Sequence, residues 1–193
     1  MGSNDIIKNV FRDSLSAKKR FLDDAAGMDG VARAAEAIAE CYRRGGKVIV
    51  LGNGGSAADS QHMAAELLVR FEKERKSFPC IALTANTSAL TAAANDYDFS
   101  KVFSRQIEAL AGPSDVVVAI STSGNSDNVI EAAKAARAKK ALVIGLTGGE
   151  GGRLKKESDI PILVKAGNTA RIQEVHITII HAICKIVEDS LAG

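Results

Sequence analysis

The hydrophobic positions of this chain change rhythm along its length. Over residues 4–24, Ile7, Val10, Phe11, Leu15 and Leu22 recur near helical spacing among charged residues, which predicts an amphipathic helix. A second helix is expected over 29–44, stopped by Gly45-Gly46 in the C-terminal glycine role. Then five short runs, at 47–51, 80–83, 116–120, 142–146 and 160–164, are nearly continuous in Val, Ile, Leu and Ala instead of alternating. Strands buried on both faces read this way, as parallel strands do. Helical segments lie between them, most clearly at 57–74, 99–110 and 127–140. The alternation predicts an α/β fold: a doubly wound, five-stranded parallel sheet flanked by helices. A closing helix over 170–191 is apolar nearly all round from Val175 to Val187, which points to a helix covered on all sides, here by another subunit.

No internal repeat, linker or low-complexity tract interrupts the pattern, so one domain over 1–193 is expected, the N-terminal helices at about 4–44 included. Composition changes this picture little: 46% apolar and 25% charged residues are ordinary for a globular chain. A net charge of +2 supplies no basic field for nucleic acid. Cys41, Cys80 and Cys184 lie far apart, form no CxxC pair, and fit reduced thiols of a cytosolic protein. No apolar run is long enough for a membrane span, and the N-terminus is polar where a signal peptide needs an apolar stretch. A cytoplasmic location is expected.

Ligands of open parallel sheets bind beyond the carboxyl ends of the strands, so those loops carry the candidate chemistry. After the first strand comes Gly52-Asn53-Gly54-Gly55-Ser56-Ala57, where glycines let backbone N–H groups approach an anion at a helix start. The letters satisfy G-x-G-x-x-A, but a dinucleotide site needs a carboxylate at the end of the second strand. Leu83-Thr84-Ala85-Asn86 offers none there, and Glu72 and Glu74 sit before that strand. The third strand ends in Ser121-Thr122-Ser123-Gly124-Asn125-Ser126. Four hydroxyls around a glycine at a helix start can hold three phosphate oxygens, whereas capping would need Ser126 alone. With no Gly-Lys-Ser/Thr, the loop suits a phosphomonoester better than a nucleotide.

His62 and Glu66, four residues apart, share one face of a helix that starts at the glycine loop. Such a pair could share a metal, divide acid and base duties, or simply face solvent. On the closing helix, Gln173, His176 and His181 fan out at about 100° per residue, and spacing leaves open which histidine faces a cleft and which is a core residue.

Taken together, Gly-Asn-Gly-Gly-Ser at 52–56, His62 with Glu66, Asn95-Asp96, the hydroxyl loop at 121–126, and Arg171-Ile172-Gln173-Glu174 with His181 resemble the bacterial phosphoheptose isomerases of the sugar isomerase (SIS) superfamily. The resemblance spans nearly the whole chain and implies a SIS fold and conversion of sedoheptulose 7-phosphate to D-glycero-D-manno-heptose 7-phosphate. That reaction opens ADP- or GDP-heptose synthesis, as for lipopolysaccharide. It further implies sugar contacts from Asn53, Gly54, Gly55, Ser56, Glu66, Asn95, Asp96 and Gln173, and phosphate contacts from Ser121, Thr122, Ser123 and Ser126. Glu66 and His181 match the acid–base pair, and His62, Glu66, Gln173 and His181 match zinc ligands, one ion per subunit of a homotetramer. Two other readings belong to the same superfamily: a non-enzymatic tetramer that binds the replication initiator, and an isomerase of a different sugar phosphate. The intact acid–base set favours an enzyme.

Overall fold

A computed structural model describes residues 2–191. Two helices lead, α1 (Ser3–Leu22) and α2 (Ala25–Arg43), followed by β1 (Val48–Gly52), α3 (Gly55–Leu68), β2 (Cys80–Ala82), α4 (Thr87–Asp96) and α5 (Ser104–Leu110). The second half runs β3 (Val116–Ser121), α6 (Asp127–Ala138), β4 (Leu142–Gly148), β5 (Ile160–Val164) and α7 (Thr169–Leu191). The five strands form one parallel sheet in the order β2-β1-β3-β4-β5. Every residue of β1 and β3 is buried, as their unbroken apolar runs predict.

The pleat sends alternate residues to two cores. Val48, Val50, Val116 and Val118 pack under α1, α2, α3 and α7, while Ile49, Leu51, Val117 and Ala119 pack under α4, α5 and α6. Both faces are thus covered, and the doubly wound expectation holds.

Two local expectations are corrected. The helix expected over 57–74 ends at Leu68, because the backbone N–H groups of Phe71, Glu72 and Lys73 turn to the Glu188 carboxylate instead of continuing the helix. The segment 99–110 divides into a 3-10 turn, Phe99–Lys101, and α5, with the Asp98 side chain accepting from the Ser100 N–H at the turn. Helix α4, capped by Asn86 through the Ala89 N–H, is an unanticipated element, since its short alanine-rich sequence has no apolar period to announce it. Within one chain α7 leaves Thr178, Ala182 and Ile186 as an exposed stripe. On α1, only Ala17 and Phe21 are buried, and Ile7, Val10, Phe11, Leu15 and Leu22 stand exposed.

Candidate active site

Strand β1 has β2 on one side and β3 on the other, so the chain reverses its direction of winding between β1 and β3. From there α3 leaves towards one face and α6 towards the other, which opens a crevice at the carboxyl ends of the two strands. The glycine loop and the hydroxyl loop are its two walls. A reciprocal amide pair ties them together: Asn53 Nδ2 donates to Asn128 Oδ1 at 2.8 Å, and Asn128 Nδ2 donates to Asn53 Oδ1 at 2.9 Å. The Asn53 side chain is therefore committed to the scaffold. Gly54 begins α3 at φ +56°, a left-handed conformation that only glycine adopts without strain. Ser56 is buried, and its carbonyl accepts from the Ser60 hydroxyl at 2.7 Å.

In the opposite wall, the hydroxyls of Ser121, Ser123 and Ser126 converge. Ser121 Oγ lies 3.0 Å from Ser126 Oγ and 3.5 Å from Ser123 Oγ. Ser126 occupies the N-cap position of α6, yet its side chain makes no capping hydrogen bond. Capping therefore does not account for this serine. The loop rests on the segment after β4: Leu154 N donates to Gly124 O at 2.9 Å, and a Cβ on Gly124 would meet Gly151 O at 2.1 Å. Arg153 completes the support, donating from its backbone N to Asn125 Oδ1 at 3.1 Å and from Nη2 to Asn125 O at 2.8 Å and Asp127 Oδ1 at 2.6 Å. Thr122 is half-buried between these supports.

Helices α3 and α7 lie side by side and run the same way. Gln173 rests its amide against Gly55, His181 meets His62 across a sequence separation of 119, and Glu188 meets Phe71 across 117. A nearly constant separation is the signature of parallel neighbours. This packing assembles a cluster of His62, Glu66 and His181 whose nearest ligand atoms all lie within 4.8 Å of one another. His62 Nε2 is 3.0 Å from Glu66 Oε1 and 3.2 Å from His181 Nε2, and the Phe71 ring closes one side with its centroid 5.7 Å from that of His181.

Of the two histidines on α7, His176 is the core residue. It is fully buried, its Nε2 lies 3.2 Å from the carbonyl of Thr147, and burial pushes its pKa down to about 4 against the opposing pull of that carbonyl. Gln173 stands eight residues before His181, about 12 Å up the helix axis, so three of the four candidate metal ligands come together and the fourth lies beside the glycine loop. Asn95 Nδ2 donates to Asp96 Oδ1 at 2.8 Å at the exposed end of α4.

Sequence reading missed Asn128, Arg153, Arg75 and Glu188. Only Glu188 carried a signal, as the first of two carboxylates, with Asp189, that follow the apolar run of α7.

Residues 11–148 match the SIS domain family. The chain is 51% identical over 178 residues to the phosphoheptose isomerase of a Roseiflexus species, covering 92% of this chain and 89% of that protein. It is 50% identical over 186 residues to the phosphoheptose isomerase of Solidesulfovibrio magneticus, covering 96% and 90%. The phosphoheptose isomerase structure from Neisseria gonorrhoeae superposes with a TM-score of 0.92 at 42% identity, covering 97% of this chain and all of that one. Fold, identity and coverage agree: the chain belongs to the phosphoheptose isomerase family of SIS-domain proteins and is an isomerase of the sugar-phosphate class.

Proposed function

We propose that this chain converts sedoheptulose 7-phosphate to D-glycero-D-manno-heptose 7-phosphate, the first step towards an activated heptose. The observation that carries this reading is the meeting of His62, Glu66 and His181 on helices that border the hydroxyl-lined crevice. The phosphate lies in the loop formed by Ser121, Thr122, Ser123 and Ser126, where the Ser126 hydroxyl turns from the capping position to that of Ser121 and joins it in facing a ligand. The sugar extends along α3, over Gly54 and Gly55 and past Gln173, with Asn95 and Asp96 contributing from α4 and Asn53 and Ser56 shaping the loop backbone.

An aldose–ketose isomerase moves one proton between carbons and another between oxygens. Glu66 takes the proton from C1 while His181 gives one to O2, which leaves a cis-enediol. The O1 proton then passes to His181, and Glu66 returns its own proton to C2. The far-end phosphate contacts keep C1 and C2 at the cluster, so remote binding energy serves orientation.

The donor set fits zinc. Three ligand atoms lie within 4.8 Å of one another, a single shared proton satisfies only two of them, and two nitrogens 3.2 Å apart match adjacent corners of a tetrahedron with bonds of about 2.0 Å. One ion per subunit would be held by His62 and His181 through Nε2, leaving His181 Nδ1 to carry the oxygen proton, and by Glu66 only while its carboxylate is not acting as base; it would polarise the substrate carbonyl as a Lewis acid. The exposed apolar stripes of α1 and α7 support a homotetramer, since such a surface is rarely left to water. No helix among the described residues is long and apolar enough to cross a membrane, and we place the enzyme in the cytoplasm.

The decisive experiment follows sedoheptulose 7-phosphate by NMR before and after chelation and zinc addition. Conversion abolished by the chelator and restored by zinc is expected. Conversion indifferent to chelation removes the metal from the mechanism. Absence of conversion by folded, zinc-loaded protein overturns the substrate assignment.

A further inference from the structure

Arg75 and Glu188 form an ion pair at 3.1 Å with side chains 3% and 0% exposed, outside every set of residues discussed so far as contacting substrate or metal. The Glu188 carboxylate accepts from the backbone N–H groups of Phe71 at 3.0 Å and of Glu72 and Lys73 at 2.8 Å, besides Arg75 Nε. Arg75 donates from Nη2 to Glu66 O at 2.7 Å and from Nη1 to Leu67 O at 2.9 Å and Lys76 O at 3.0 Å. The carbonyls of Glu66 and Leu67 belong to the last turn of α3, where helical carbonyls lack intrahelical partners and a cation complements the helix dipole.

Glu188 follows His181 by seven residues, two turns further along the same face of α7. One carboxylate on α7 therefore holds, through Arg75, the end of the helix α3 that carries His62 and Glu66, two turns below the histidine they face. Burying two full charges is a poor way to gain stability, since apolar side chains of similar volume often serve as well or better. What the pair supplies instead is directional: four hydrogen bonds fix the segment 71–75 on Glu188 of α7, and two from Arg75 carry that hold to the Glu66 and Leu67 carbonyls at the end of α3.

We infer that Arg75 and Glu188 are positioning residues for the isomerase, fixing the register of α3 against α7 and so the spacing of His62 and Glu66 from His181. The inference rests on the proposed reading of those three residues as the reacting set. A pair that merely ties down the segment after α3 would affect unfolding but leave the cluster as it is.

The chain has three histidines, which makes a direct test simple. Full-length protein labelled at histidine Cε1 is compared by NMR as wild type, Glu188→Gln and Arg75→Lys. In both variants the His62 and His181 signals should shift, while His176, buried and bonded to Thr147, keeps its position and reports an intact fold. In turnover assays well below the melting temperature, kcat should fall about tenfold to a hundredfold with KM within twofold, because the hydroxyl loop is untouched. Ile107→Val, in the core beneath α5, serves as a control for lowered stability and should leave kcat unchanged. Unmoved His62 and His181 signals overturn the inference. So does a shift of all three histidines together, or the failure of both variants to fold, since either makes the pair a general stabiliser. If the wild type isomerises no sugar phosphate, the proposed function falls, and the histidine spectra still decide whether the clamp sets the cluster.

Discussion

The hydroxyl loop after β3 and the histidine–carboxylate cluster of α3 and α7 are built by different means. The loop is short in sequence, sits where two buried strands end, and is held by backbone: Gly124 against Gly151, Leu154 N on Gly124 O. The cluster draws its members from positions 119 residues apart, and its geometry depends on how two helices slide past each other. A phosphate can be recognised by any N–H and O–H groups that point inward, so backbone suffices. Proton transfer needs groups of suitable basicity at a defined distance, which only side chains provide. The two ends should therefore fail differently when altered.

The largest effect is expected at the cluster. Glu66→Gln should lower kcat about a thousandfold while KM and the melting temperature hold. Steady-state kinetics together with thermal unfolding check this, and near-normal turnover would remove Glu66 from the base role.

His176 joins the two ends, since it binds the carbonyl of Thr147, the residue paired with Ser121 in the sheet. Its pKa of about 4 in the folded protein lies below the ordinary 6.5, so the unfolded chain takes up this proton first as pH falls. The stability contributed is level above 6.5, declines between 6.5 and 4, and is level again below 4. His176 alone should account for about 3 kcal/mol of acid destabilisation over that window. Urea titrations of wild type and His176→Gln across the window would show it as a shallower slope in the variant.

At the phosphate end, Gly124→Ala should raise KM about tenfold with little change in kcat, because a Cβ at φ +64° has to push Gly151 aside and deform the loop. A fall in kcat with constant KM would mean that the two ends are not separate. The smallest effect sharpens the contrast most. Ser126→Ala should raise KM about fivefold, the worth of one hydrogen bond, and leave the melting temperature unchanged to about 1 °C. Loss of a working N-cap would instead lower stability by about 1 kcal/mol.

How far the sequence was legible follows the same division. Five strands and the hydroxyl loop could be read because each is local: an apolar run, then small polar residues at a helix start. His62 and Glu66 could be paired from their spacing. Which histidine of α7 would join them could not, because helical angles alone do not tell which face looks along the sheet and which looks at α3. Glu188 explains the overrun of the third helix in the same way. Nothing within 57–74 forbids helix, and the N–H groups that end it are claimed by a carboxylate more than a hundred positions later. The apolar periodicity of α1 predicted a helix but said nothing of what would cover it.

The link between α1 and α7 has a consequence in time. Arg171, which also pairs with Glu174, donates to the Val10 carbonyl across 161 residues. At a synthesis rate of about 5–20 residues per second, roughly 10–30 s pass between the making of the two partners. The tie to α7 leaves Ile7, Phe11 and Leu15 exposed, so the apolar face of α1 stays open to water from its synthesis until something outside the chain covers it.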